Sequence, residues 1–187
     1  MDTEKGPRKL CRRLNVPGDI HELTFTCYKR RLFLSKDRTR IFLADAINSA
    51  RVKHEFYLLA YGFMPEHAHL LVFPRPEKYD MSKILQSIKQ PVAQRAIRYL
   101  RRENPAGLAM LRTGQKHEPF RFWQDGGGHD KNTRDEKDLA NVIKYIHENP
   151  VRKGLVTIPE DWIWSSVRDW TGGEPGPIPI DCDSFFV

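Results

Sequence analysis

Two apolar runs, residues 57–63 and 67–73, are separated by Met64, Pro65 and Glu66, a break with the composition of a tight turn. They read as an antiparallel hairpin. In the second run His67 and His69 alternate with Ala68, Leu70 and Val72, so on a strand both imidazoles leave by one face together with Leu71. Residues 20–28, IHELTFTCY, carry β-branched and aromatic positions in rough alternation and read as a first strand that runs into Lys29, Arg30 and Arg31. Over 37–56, Phe42, Leu43, Ala46, Ile47 and Ala50 recur at three and four, which predicts a helix packed on a sheet. Residues 81–103 repeat that spacing with Ile84, Leu85, Ile88, Val92, Ala96, Tyr99 and Leu100. Because the register continues across Pro91, it predicts a kink or short break with the proline in the first turn of the continuing piece.

The second half is less regular. Residues 104–118 read as loop, 120–123 as a short strand, and the glycines at 126–128 as a turn where the backbone adopts positive φ or comes close to a ligand. A third helix starts at Thr133, with Glu136 completing a capping box. It shows Leu139, Val142, Ile143 and Ile146 on one side and stops at Asn149-Pro150. Residues 151–158 suit one more short strand. Trp162, Trp164 and Trp170 suit anchors that pack the C-terminal segment onto the core.

Length and charge change this picture in one respect. A chain of 187 residues is one domain, placed at 20–170 between a flexible basic arm at 1–19 (Lys5, Arg8, Lys9, Arg12, Arg13) and an extended Gly/Pro-rich tail at 171–187. Lys plus Arg number 31 against 24 Asp plus Glu, a net +7, which favours a polyanionic partner without separating DNA, RNA and anionic lipid. The sequence has no apolar run long enough to span a bilayer and no apolar leader, so the expectation is a soluble, intracellular protein with no membrane partner. Cys11, Cys27 and Cys182 have no metal or disulfide spacing.

Two constellations carry chemistry. Paired imidazoles on one strand face suit a metal, and they also suit an ordinary polar sheet face. On the third helix Tyr145 and Asn149 are four residues apart, so they lie about 40° apart around the axis. Relative to a stripe centred on Leu139, Asn149 sits at about 70° and Tyr145 at about 110°, at the boundary of core and open surface. A nucleophile needs that position. The chemistry joining the two groups is metal-assisted transesterification, with His67, His69 and the Asn149 amide as ligands and the Tyr145 oxygen attacking phosphorus in line.

The HAH at 67–69 resembles the histidine–hydrophobic–histidine (HUH) motif of single-strand endonucleases and transposases. With the preceding YGFMPEH, the FWQDGGGHDKN segment and YIHENPVRKGLV at 145–156, the chain from about residue 20 to 170 resembles the REP-associated tyrosine transposases. The resemblance implies an α+β, ferredoxin-like (RRM-like) HUH fold, with a central antiparallel sheet and helices packed on one face. It implies cleavage of single-stranded DNA beside hairpins through a 5′-phosphotyrosine, with Mg²⁺ or Mn²⁺, in the bacterial cytoplasm at the nucleoid. His67 and His69 become metal ligands and Tyr145 the nucleophile. Asn149 stands where related insertion-sequence enzymes have glutamine. His129 stands where relatives often have tyrosine, and is a further ligand, a DNA contact or neither. Trp123, Arg121 and Arg95 join it as candidate DNA contacts, with Trp123 equally suited to the core. Insertion-sequence relatives work as dimers that exchange helices, whereas this group implies a monomer.

Overall fold

The computed structural model describes residues 14–126 and 128–182, so the five basic residues of the arm lie outside the described chain. Four strands, β1 (Ile20–Thr26), β2 (Phe56–Phe63), β3 (His67–Pro74) and β4 (His129–Thr133), form one antiparallel sheet in the order β2-β3-β1-β4. Helix α1 (Asp37–His54) joins β1 to β2. Helix α2 (Met81–Glu103) and the short α3 (Pro105–Ala109) lie between β3 and β4. After β4 come α4 (Glu136–Arg152) and the short α5 (Val167–Thr171). This succession of strands and helices, with that strand order, is the ferredoxin-like arrangement.

Period-two alternation divides the sheet into two unequal faces. On one, Leu23, Phe25, Leu58, Phe63, Leu70 and Val72 pack against Leu43 and Ile47 of α1 and Ile84, Ile88 and Val92 of α2. On the other, Ile20, Leu59, Ala60 and Leu71 meet Leu139, Val142, Ile143 and Ile146 of α4. Helices α1 and α2 therefore share a face as expected, and α4 adds a partial cover to the opposite one. Gly62 sets how closely that cover sits. A Cβ there would come within 3.3 Å of Ile146 Cγ2 and of the Ile146 carbonyl oxygen.

Several elements differ from the sequence reading for identifiable reasons. Of the kink or short break expected at Pro91, the break does not occur: α2 is continuous, because a single proline removes one hydrogen bond from a 23-residue helix whose buried stripe continues on both sides. Helix α4 begins two residues later than the capping box places it. Asp135, not Thr133, is the N-cap, and its carboxylate accepts from Lys137 N–H and Asp138 N–H. The helix also continues past Asn149-Pro150 to Arg152. The proline falls in the last turn, where only the bond to the Ile146 carbonyl is forfeited.

Thr133 instead ends β4, a polar edge strand (HDKNT) with no apolar alternation to announce it. It can approach β1 because Gly128 has φ +73° and no side chain. A Cβ there would fall 2.0 Å from the Thr24 carbonyl oxygen. Residues 120–123 form no strand and make only isolated bridges, Arg112 with Phe120 and Cys27 with Trp123. Residues 151–158 are the end of α4 and turns. Within the expected loop, Asn104 caps α3 by accepting from Gly107 N–H, with Pro105 in the first turn.

Neither terminal segment hangs free where it is described. Val16 O accepts from Tyr79 Oη–H and Asn15 Oδ1 from Met81 N–H, while Asp19 pairs with Arg134, so residues 14–19 are laced to the domain. At the other end Ile178 is fully buried, and Asp181 brackets Leu58, accepting its N–H at Oδ2 (2.8 Å) and donating its own N–H to Leu58 O (2.9 Å). Over the described residues the C-terminal stretch, with Ile178 and Asp181, therefore lies against β2 as part of the fold where an extended tail was expected. The indoles of Trp162 and Trp170 donate to Phe63 O and Leu59 O of β2, and that of Trp164 donates to Asp37, which fixes the anchor role of all three.

Candidate active site

The pairing register of β1 with β3 places Thr24 opposite His69 and Thr26 opposite His67, all facing the side that α4 only partly covers. His67 Nε2 and His69 Nε2 lie 2.9 Å apart with the rings nearly perpendicular. The outer nitrogens face polar groups. Thr24 Oγ1 is 2.8 Å from His69 Nδ1, and the Glu66 carboxylate is 3.1 Å from His67 Nδ1, a charge contact without hydrogen-bond alignment. From α4, the Asn149 amide nitrogen lies 3.0 Å from His69 Nε2, and the Tyr145 ring stands edge-on to His69 at 5.5 Å between centroids. Asn149 is 3% exposed and Tyr145 40%, the order the helical wheel gives them. Together they line a cleft of about 360 Å³, with Glu22, Arg30, His129 and Lys153 at its rim.

Burial decides the electrostatics. It pushes the His69 pKa down to about 3, helped by the neighbouring His67 and His129. His67 is lowered by burial too, with Arg30 and Lys153 adding to the shift and Glu66 opposing it. Both rings are therefore neutral at physiological pH. With both imidazoles protonated at Nδ1, the side facing Thr24 and the Glu66 carboxylate, the two Nε2 atoms carry lone pairs only 2.9 Å apart. Two facing lone pairs repel unless a proton or cation lies between them. Rotating the Asn149 side chain by half a turn exchanges nitrogen for oxygen and brings a third donor atom to the same point. Among the described residues no group of three or more His, Cys, Asp and Glu gathers as a metal site. A cation here would rest on two imidazoles and an amide, with its remaining positions open to water or substrate.

The fold thus brings together His67, His69, Tyr145, Asn149 and His129. It does not bring Trp123, Arg121 or Arg95 to them. Trp123 is 6% exposed, packs edge-on against Phe25 and donates its indole N–H to Lys89 O, so its place is in the core. Arg121 is engaged by Glu118 and Asp125, and Arg95 on α2 bonds Asp45 of α1 while covering Phe42. Sequence reasoning missed Thr24, Glu66, Glu22, Arg30 and Lys153. Glu22 and Thr24 were legible as the polar half of the β1 alternation, but only the strand pairing shows that this half faces the histidines.

Comparison with known proteins gives the family. The chain matches the family described as IS200-like transposases over residues 18–149. It is 31% identical over 158 residues to a Haemophilus influenzae protein named as a REP-associated tyrosine transposase, across 75% of this chain and 84% of that one. Its fold is similar to the solved structure of a REP-associated tyrosine transposase bound to a REP hairpin, with a TM-score of 0.66, 24% identity and 91% of each chain covered.

Proposed function

The chain belongs to the IS200-like transposase family, among its REP-associated tyrosine transposases, and on that premise we propose that it nicks and rejoins single-stranded DNA beside hairpins through a covalent tyrosine. The observation that carries this reading is the placement of Tyr145, partly exposed on α4, 5.5 Å from a buried pair of neutral histidines in one cleft. The Tyr145 oxygen attacks phosphorus and loses its proton. The bond from phosphorus to the 3′ oxygen breaks, and the departing 3′ oxygen takes up a proton. The 5′ side of the break stays on the protein as a phosphotyrosine, which keeps the ester energy for rejoining. His67, His69 and Asn149 would hold Mg²⁺ or Mn²⁺, which when bound supplies a Lewis acid to a phosphate oxygen.

Thr24 holds the His69 imidazole in the tautomer that turns Nε2 inward, and the Glu66 carboxylate beside His67 Nδ1 favours the same tautomer there. Hairpin DNA is proposed as the partner because the similar structure is bound to one. A monomer is proposed as the working unit, since tyrosine and histidines come from the same chain.

The test is a hairpin DNA carrying a 3′ label on its single-stranded flank, incubated with Mg²⁺ or Mn²⁺ and resolved on a denaturing gel. Wild type should yield a labelled protein band and Tyr145→Phe none. Equal cutting by both would make water the nucleophile, and binding without cutting would make the chain a hairpin-binding module.

A further inference from the structure

We propose that Arg30 and Lys153 form a phosphate-binding site on the cleft rim that grips the scissile phosphodiester, so that Arg30 acts as a catalytic residue of the cleavage step. The inference rests on the reading above and adds to it a substrate contact supplied by the turn after β1.

Among the described residues only three that are not glycine have positive φ: Lys29 at 54°, Arg30 at 53° and Glu55 at 52°. Glu55 has an ordinary reason, since it caps the C-terminal end of α1 in the left-handed conformation. Lys29 and Arg30 cap no long helix, and two successive side-chain-bearing residues in that region are held there only by what surrounds them. Four hydrogen bonds supply the restraint. Cys27 N–H donates to Glu66 O, Tyr28 N–H to Phe122 O and Arg30 N–H to Cys27 O, while Lys29 N–H donates to the Gln124 side chain. The chain thus reverses sharply beside His67 at a point where glycine would have been easier.

What the reversal delivers is the Arg30 guanidinium to the cleft. Its side chain remains 70% exposed, and among the described residues its ion pair is with Glu66, 3.8 Å away, which is also the group beside His67 Nδ1. A loose contact of that length leaves the fork of N–H donors free for a tetrahedral anion. From the other side, Lys153 follows Asn149 by four residues as Asn149 follows Tyr145, which carries the functional flank of α4 to its end. Both cations line the same cleft as His67, His69 and Tyr145. A phosphodiester in the cleft, within reach of Tyr145, would then have the imidazole pair on one side and the two cations on the other. As the tyrosine attacks, negative charge builds on the non-bridging oxygens, and a planar guanidinium stabilises that charge best.

The experiment compares wild type with Arg30→Ala and Arg30→Gly in single-turnover cleavage of the labelled hairpin, using the natural phosphodiester and a methylphosphonate at the scissile position. Methylphosphonate lacks the charge that Arg30 is proposed to read. Both variants should cleave the natural DNA about 100-fold more slowly than wild type, equivalent to two factors of ten in the barrier. On the neutral substrate they should match wild type within about threefold, a result that a merely structural role would not give. Arg30→Gly separates function from folding, because it accommodates the left-handed backbone and should melt no lower than wild type. Natural DNA cleaved by Arg30→Gly at the wild-type rate would overturn the proposal, as would an undiminished methylphosphonate penalty in both variants, or a compensation seen only at the neighbouring phosphate.

If wild type itself does not cleave, the reading of the reaction fails and the phosphate site is judged by binding. Arg30→Ala should then flatten the dependence of log affinity on log salt by about 0.7 for single-stranded DNA, and an unchanged slope would overturn the site.

Discussion

Two groups of buried histidine chemistry lie back to back on the same sheet, and they are built in opposite ways. On the α1/α2 face His21 is fully buried, with Nδ1 2.7 Å from Asp130 Oδ1 and Nε2 2.7 Å from Tyr79 Oη, whose proton goes on to Val16 O. Every ring nitrogen has a fixed partner and the network closes on itself. On the α4 face the outer nitrogens of His67 and His69 face polar groups, and the inner two converge on an opening. Burial alone therefore does not identify a functional histidine. A closed network welds residues 14–19, β1 and β4 together, whereas an open one leaves ligating capacity directed at whatever enters the cleft.

This contrast can be broken by exchanging the consequences of the two groups. The largest effect is expected from His69→Ala. It should reduce DNA cleavage by about 10⁴-fold, roughly 5.5 kcal/mol of barrier, and abolish Mn²⁺ binding in calorimetry. Retained Mn²⁺ binding would place the metal elsewhere. His21→Ala should do the reverse. It removes the imidazole from between the buried Asp130 carboxylate and Tyr79 Oη and should lower unfolding free energy by about 4 kcal/mol in urea titration, while the folded fraction cleaves DNA at the wild-type rate.

His147 is an intermediate case, buried on α4 with Nε2 2.9 Å from Ser166 Oγ. Burial lowers its pKa from 6.5 to about 4. Between those values the unfolded chain binds a proton that the native chain refuses, so stability falls as pH falls from 6.5 towards 4. Replacing His147 with Gln should reduce the stability lost between pH 6.5 and 5 by up to about 2 kcal/mol. Equal losses in both proteins would mean the imidazole is protonated in the fold. The smallest effect belongs to Thr24→Val, which removes the group beside His69 Nδ1. It should weaken Mn²⁺ binding about tenfold without changing the unfolding midpoint by more than a few degrees.

The sequence carried the half of the site that lies on single elements. His67 and His69 share a face because strand geometry has period two, and Tyr145 and Asn149 share a flank because helix geometry has period 3.6. Both relations hold before any tertiary contact is known. The rest depends on pairing. Thr24 meets His69 only through the register of β1 with β3, and His129 reaches the cleft only because β4, whose five residues are all polar, adds to the far edge of β1. Candidate DNA contacts chosen by residue type fared differently from those placed by geometry. Trp123, Arg121 and Arg95 have the right chemistry, but packing and local carboxylates engage them away from the histidines, and no periodicity in the chain reveals such commitments.

The C-terminal stretch has a consequence for the behaviour of the protein in solution. Strand β2, FYLLAYGF, is an outermost strand of the sheet and is almost entirely apolar. Its free edge is occupied by the chain itself, through Trp164 O to Phe63 N–H, Ser166 N–H to Tyr61 O, and Asp181 on both polar groups of Leu58. A version trimmed after residue 171 would keep every group of the cleft while uncovering part of a flat, uncharged strand edge, the kind of surface that templates intermolecular β-pairing. Such a shortened protein should precipitate or form aggregates, and so lose activity through insolubility with its chemistry intact.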